Sequence, residues 1–216
     1  MDAVRLVIVE DSRKYAEVLA KALAKAAGIE VAGVFGTAEE LLASLSRTDA
    51  DVALLDIGLP GMDGIELVSR LRAERPEMEL LMLTAFEDEE RLFRALKAGA
   101  SGYLTKRAPM PSIVQAVKDI SGGGTVISPA LARRFCNHFA SLGTPAETTD
   151  RFGLTEQEKE LLGFLARGLT NAEAGSVMNL PRRTVRTILS HIYKKMGTNS
   201  RVEAVTLGLR AGVVSV

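Results

Sequence analysis

Val52-Ala53-Leu54-Leu55-Asp56-Ile57-Gly58-Leu59-Pro60-Gly61-Met62-Asp63-Gly64 decides the fold class of this chain. Four consecutive apolar residues suit a strand covered on both faces, as in a parallel sheet. The run stops on a carboxylate, crosses a Gly- and Pro-rich turn, and enters a helical stretch over Gly64–Ala73. Short apolar runs recur at Leu6–Val9, Val31–Phe35, Leu80–Leu83 and Gly102–Leu104. Helical patterns separate them. Tyr15, Val18, Leu19, Ala22, Leu23 and Ala26 form one stripe at i, i+3, i+4, i+7 spacing, with Asp11 or Ser12 as cap and Gly28 as stop. Further helices fit Ala38–Leu45, Asp88–Ala98 and Pro111–Ile120. Five strand-helix units in this order predict a doubly wound, five-stranded parallel α/β domain over residues 1–120.

The rest of the chain reads differently. Residues 121–150 carry Ser121-Gly122-Gly123-Gly124, a helical patch over Pro129–Phe139, and a stretch rich in Gly, Ser and Thr. That is a linker with one helix of its own. Beyond Leu154 the strand patterns cease. Thr155 and Glu158 make a capping box ahead of Leu161, Leu162 and Leu165. Helices follow at Asn171–Met178, Pro181–Met196 and Ser200–Ala211, so residues 151–216 predict a four-helix, all-α domain.

Composition narrows the class. The 216 residues are 47% hydrophobic and 25% charged, which excludes a disordered or collagenous chain. The single cysteine, Cys136, cannot form an intrachain disulfide, so a reducing compartment is expected. No apolar run approaches a membrane span, and Glu10-Asp11 cuts off the apolar start before it resembles a signal peptide. The expectation is a cytoplasmic protein with no membrane partner. Neither histidine has a ligand neighbour at zinc spacing.

The net charge of zero conceals two unlike halves. Residues 1–120 hold 15 basic and 20 acidic side chains, and residues 151–216 hold 10 and 5. In the second half Arg182, Arg183, Arg186, Lys194 and Lys195 crowd one helix, a footprint for phosphates. Helix, short turn and basic helix is the helix-turn-helix order, whose second helix enters the major groove.

In a doubly wound sheet, ligands bind beyond the C-terminal ends of the strands. Glu10 and Asp11 follow the first strand, Asp56 the third, Thr84 the fourth and Lys106 the fifth. Three crowded carboxylates call for a hard cation with oxygen ligands, and Mg2+ suits them. An Asp carboxylate can then act as a nucleophile toward phosphorus, with Lys106 and the Thr84 hydroxyl neutralising the transferred group.

These residues carry a resemblance. Val9-Glu10-Asp11-Ser12, Leu55 to Gly64, Leu83-Thr84-Ala85 and Gly102-Tyr103-Leu104-Thr105-Lys106 resemble the receiver motifs of two-component response regulators of the NarL/FixJ type. Leu154-Thr155-Glu156-Gln157-Glu158, Ala166 to Asn171, Thr184-Val185-Arg186, Ile192 to Gly197 and Ser200 to Val205 resemble the LuxR-type helix-turn-helix domain.

The resemblance implies a flavodoxin-like receiver with Asp56 as phosphoacceptor, and Mg2+ on Glu10, Asp11, Asp56 and the Gly58 carbonyl. It implies Thr84 and Lys106 at the phosphoryl group and Tyr103 as switch aromatic. Arg186, Thr187 and Ser190 become base-edge candidates, and Thr170, Arg182, Arg183, Thr184 and Lys194 phosphate contacts. Val202, Val205 and Leu209 either form the family's dimerisation helix or close the core. The partners implied are a sensor histidine kinase, double-stranded DNA and, once phosphorylated, a second copy. The chain would be a regulator, with no enzymatic role beyond its own phosphorylation and slow dephosphorylation.

Two other readings compete with this one. A phosphatase of the haloacid dehalogenase type needs an acid two residues after its nucleophile, and Arg13 stands there. A receiver serving mainly as a protein-interaction module with weakened DNA binding is the alternative, because the second half departs from the LuxR pattern. Gln157 stands in place of the usual Arg, Pro181 of Ser, Arg186 of Lys and Ile188 of His. Ala174-Gly175 replaces Ile-Ala, which lowers helix propensity and thins packing. Ile188 is expected to bring an apolar group near the DNA face.

Overall fold

The computed structural model describes residues 3–85, 89–127 and 152–214. The predicted linker helix, Cys136 and His138 lie outside the described residues. In chain order the receiver elements are β1 Val4–Val9, α1 Arg13–Ala24, β2 Ile29–Phe35, α2 Ala38–Ser44, β3 Val52–Leu55, α3 Gly64–Glu74, β4 Glu79–Thr84, α4 Glu89–Ala98, β5 Gly102–Thr105, α5 Met110–Ser121 and β6 Val126–Ile127. The helices of the second domain are α6 Glu156–Ala166, α7 Asn171–Val177, α8 Arg182–Met196 and α9 Arg201–Arg210.

The strands form one parallel sheet in the order β2-β1-β3-β4-β5-β6. The five expected strands are present, and β6 adds a sixth of two residues at the far edge. Period-2 alternation splits β1 between two cores. Val7 and Val9 face α2, α3 and α4, whereas Leu6 and Ile8 face α1 and α5. Every residue of β3 is buried, as its unbroken apolar run requires.

Local chemistry fixes the helix starts. Asp63 accepts from the Glu66 N–H at 2.8 Å and caps α3. Ser12 stands at the N-cap of α1 but forms no side-chain cap bond. Gly64 packs so closely on the strand end that a Cβ there would fall on the Asp56 carbonyl.

The second domain has its own core. Leu161, Leu162 and Leu165 of α6 pack with Ala174, with Val185, Ile188, Leu189, Ile192 and Met196 of α8, and with Ala204. Ile188 is 8% exposed and therefore belongs to this core, not to the DNA face where its polar counterpart placed it. Gly175 is a close-approach residue, since a Cβ would stand 2.9 Å from the Leu180 carbonyl and 3.1 Å from Val185. The small residues at 174 and 175 let α7 and α8 meet.

The predicted capping box is formed: Thr155 Oγ1 accepts from the Glu158 N–H at 3.3 Å, and Glu158 Oε2 accepts from the Thr155 N–H at 2.7 Å. The same carboxylate meets Lys195 Nζ at 2.7 Å. Burial pushes its pKa up, but Lys195 and Thr155 outweigh burial and hold it below the usual carboxylate value. A depressed folded-state pKa gives stability that is full above the unfolded value of 4.5 and fades as pH falls through the folded one. Glu158→Gln is expected to cost about 1 kcal/mol near neutral pH. In urea titrations of both proteins, the gap closes as the pH is lowered past that range.

Candidate functional site

The strand order reverses between β1 and β3, and the crevice at such a reversal is where doubly wound folds bind ligands. Glu10 and Asp11 leave β1 there, and Asp56 leaves β3. Backbone bonds zip the strand ends just beneath. The Asp56 N–H donates to Val9 O at 3.0 Å, and the Lys106 N–H donates to Thr84 O at 2.8 Å. The side chains are therefore delivered from a rigid edge.

Oxygens of Glu10, Asp11 and Asp56 all lie within 4.8 Å of one another. Glu10 and Asp56 are buried at 3% and 6% exposure, and Asp11 opens to solvent. Lys106 Nζ bridges the two buried acids, 2.8 Å from Asp56 Oδ2 and 2.6 Å from Glu10 Oε2. Burial raises the Glu10 pKa, and the Lys106 ammonium opposes that rise without cancelling it. For Lys106, burial disfavours the charge, but Asp56 and Glu10 outweigh it and lift its pKa above the ordinary lysine value.

Asp56 Oδ1 is buried and has no hydrogen-bond partner, while Oδ2 is engaged by Lys106. One oxygen of the central acid is thus left for a further ligand. An all-oxygen donor set with one free buried oxygen fits Mg2+ chemically. Gly58 is exposed at the start of the next loop, Thr84 is completely buried at the end of β4, and Tyr103 is completely buried as the second residue of β5.

Tyr15 also belongs to this rim, although its spacing read only as helix stripe. Its hydroxyl lies 3.5 Å from the Lys106 carbonyl, and Lys106 Nζ stands 5.0 Å over its ring. Burial raises the Tyr15 pKa.

The DNA-contact candidates divide between two surroundings. Arg183, Thr187 and Lys194 are exposed, Thr184 is half-buried, and Thr170 caps α7 through Glu173. Arg186 and Ser190 instead line a cavity closed by the receiver, with Tyr193 beside them. The receiver walls include Arg72, Glu77, Glu79, Ser101 and Gly123. Burial raises the Tyr193 pKa, Glu79 adding to the rise.

Specific bonds hold this interface. Arg201 Nη1 donates to Gly123 O at 2.6 Å, while its Nη2 donates to Leu165 O and Leu169 O inside the second domain. The Ala172 N–H donates to Gly122 O at 3.2 Å, and Asn199 Nδ2 donates to Lys97 O at 3.3 Å. Of the dimerisation candidates, Val202 packs against the receiver core, Val205 packs into the second core, and Leu209 is 37% exposed.

Comparison with known proteins agrees with both halves. Residues 6–118 match the response regulator receiver domain family, and residues 153–207 match the bacterial regulatory proteins of the luxR family. The DNA-binding transcriptional activator DevR/DosR of Mycobacterium tuberculosis (strain ATCC 25618 / H37Rv) is 34% identical over 93% of this chain and 92% of its own. The response regulator protein VraR of Staphylococcus aureus (strain Mu3 / ATCC 700698) is 28% identical over 98% of this chain and 99% of its own. Among solved structures, ChrA, the response regulator of a heme-sensing two-component system, gives a TM-score of 0.53 at 27% identity, covering 99% of this chain and 100% of that one. The receiver domain of NarL from Mycobacterium tuberculosis gives 0.55 at 30% identity, covering 57% and 99%.

Among the described residues no helix is long and apolar enough to cross a membrane. An acid-lined switch point on one domain and a basic helix on the other, matched in one order along the chain, mean that it belongs to the LuxR-type two-component response regulators and is a DNA-binding regulator of transcription.

Proposed function

We propose that Asp56 accepts a phosphoryl group from a sensor histidine kinase and that this event releases the DNA-binding helix from the receiver. The observation that carries the reading is the joint one: a paired nucleophile at the sheet edge, and the base-reading candidates Arg186 and Ser190 turned into an interdomain cavity. The residues suited to Mg2+ are Glu10, Asp11, Asp56 and the Gly58 carbonyl, and the ion would supply charge neutralisation for the incoming phosphoryl oxygens.

The chain's own groups do the rest. An Asp56 carboxylate oxygen attacks phosphorus, the phosphorus–nitrogen bond of the donor histidine breaks, and its electron pair stays on the imidazole. Lys106, already 2.8 Å from Asp56, pairs with the added charge. The Thr84 hydroxyl lies at the end of β4 to bond a phosphoryl oxygen, and Tyr103 lies on the neighbouring strand, paired with Met82 two residues before Thr84.

The route to the output domain runs along the sheet. Thr84 ends β4 and Glu79 begins it, so the interface lies about 17 Å from the switch hydroxyl by strand rise. Ser101, next to β5, donates to Glu79 at 2.7 Å and accepts from Arg72 at 3.4 Å. That polar cluster lines the same cavity as Tyr193. Phosphorylation shifts an equilibrium between closed and open chains, because closed chains cannot place Arg186 and Ser190 in a groove. Val202 is covered in the same closed arrangement, so opening also frees α9 for a second copy on paired half-sites.

The test compares DNA binding by the full chain before and after treatment with acetyl phosphate and Mg2+. Genomic fragments enriched by the treated protein serve as ligand. Affinity is expected to rise about tenfold or more on phosphorylation, together with a shift from monomer to dimer in sedimentation. Equal affinity in both states refutes the masking role.

A further inference from the structure

The loop after Asp56 must hold its shape if Gly58 is to present a carbonyl beside the acids. Its base is closed by the Gly64 N–H donating to Ile57 O at 3.0 Å. Its far side is held from another element altogether. Glu39, in the first turn of α2, accepts through Oε1 from the Met62 N–H at 3.0 Å. Gly61, beside it, has φ +75°, and an added Cβ would stand 2.7 Å from that same Oε1. A positive φ without a side chain lets the turn approach Glu39 closely. Its own backbone N–H and that of Met62 hold the Glu39 carboxyl below the usual range, so the acceptor is ionised near neutral pH.

We infer that Glu39 is a positioning residue for cation binding, clamping the loop that connects the phosphoacceptor to Gly58. This role rests on the phosphoacceptor reading above. Asp56 and Gly58 sit two residues apart, and the segment from Ile57 to Asp63 is tied at its base by Gly64 and on its far side by Glu39. Without the second tie the loop samples more conformations, and the entropy of ordering it is charged to cation binding. Glu39 reaches Met62 and touches neither reactant nor cation, so its effect falls on affinity for the ion.

A neighbour separates this role from simple charge. Glu40 carries the same charge on the same helical turn, but its Oε2 accepts from the Gly36 N–H at 2.7 Å, away from the loop. The experiment is calorimetric titration of the full chain with Mg2+ alone, without any phosphodonor. Glu39→Ala is expected to raise the Mg2+ Kd roughly three- to fivefold. Glu39→Gln, whose amide oxygen still accepts from Met62, and Glu40→Ala both stay within about twofold of wild type.

Phosphorylation by acetyl phosphate then shows the matching split. The Mg2+ concentration for half-maximal rate rises in Glu39→Ala, and the rate at saturating Mg2+ is unchanged. The positioning role is overturned if Glu39→Ala binds Mg2+ as wild type does, or if Glu39→Gln or Glu40→Ala weakens binding as much. A wild-type chain that takes up no Mg2+ would instead overturn the cation site itself, and this role with it.

Discussion

Unphosphorylated chain carrying Gly123→Val is expected to bind DNA at least tenfold more tightly than unphosphorylated wild type. The reasoning starts from the backbone. Gly123 has φ +84°, a left-handed conformation that a β-branched residue adopts only at a cost of about 1–3 kcal/mol. A Cβ at this position would also fall on the Asn171 side chain at the start of α7. The clash with Asn171 is relieved by lifting the turn away from the second domain, and the backbone strain by the turn changing shape as it leaves. Lifting it breaks the bond from Arg201 to Gly123 O and endangers that from Ala172 to Gly122 O.

The open chain keeps Arg201 bonded to Leu165 O and Leu169 O, so the second domain retains its fold. A shift of 2–3 kcal/mol in the closed-to-open balance is a factor of roughly 30–150. Small-angle scattering is expected to record a larger radius of gyration for the variant. A variant as compact as wild type and equally weak on DNA would mean that the turn does not hold the closed state.

What the sequence made legible follows from the range of each interaction. Glu10, Asp11, Asp56, Thr84 and Lys106 could be read because each follows an apolar run, and parallel strands must end on one edge. β6 escaped because two residues after a glycine run carry no periodicity. The family's polar residue at this position points to the DNA face, yet Ile188 is buried in the core. Its own spacing, three residues after Val185 and four before Ile192, already put it on the core stripe.

Gly175 and Ala174 read as weak helix residues because propensity is local, whereas the close approach of Val185 on α8 to Gly175 appears only once two helices are folded together. The domain interface was the least legible feature. Arg201 and Gly123 are 78 residues apart, and Asn199 and Lys97 are 102 apart. The two halves carry opposite net charges, but the observed contacts are mostly side chains on backbone carbonyls, which no charge count reveals.

Replacing Asp56 by Asn is expected to abolish phosphorylation from acetyl phosphate, lowering uptake at least about a hundredfold. Asp56 contributes a charge and a nucleophilic oxygen to the same few ångströms, and an amide supplies neither. Its neutral carbonyl can still accept from Lys106, and Lys106 keeps Glu10 at 2.6 Å, so the rim retains its geometry. Thermal stability should therefore stay near that of wild type, which separates lost chemistry from lost fold. The DNA affinity of Asp56→Asn should equal that of untreated wild type and remain unchanged by acetyl phosphate.

Asp11→Asn gives the contrast. It removes one exposed acid of the triad and leaves the nucleophile, so raised Mg2+ should restore its phosphorylation, whereas no amount restores Asp56→Asn. Intact-mass spectra of both variants after acetyl phosphate decide the matter. Uptake by Asp56→Asn at the wild-type rate would move the acceptor to another residue, and with it the origin of the proposed signal along β4 and β5.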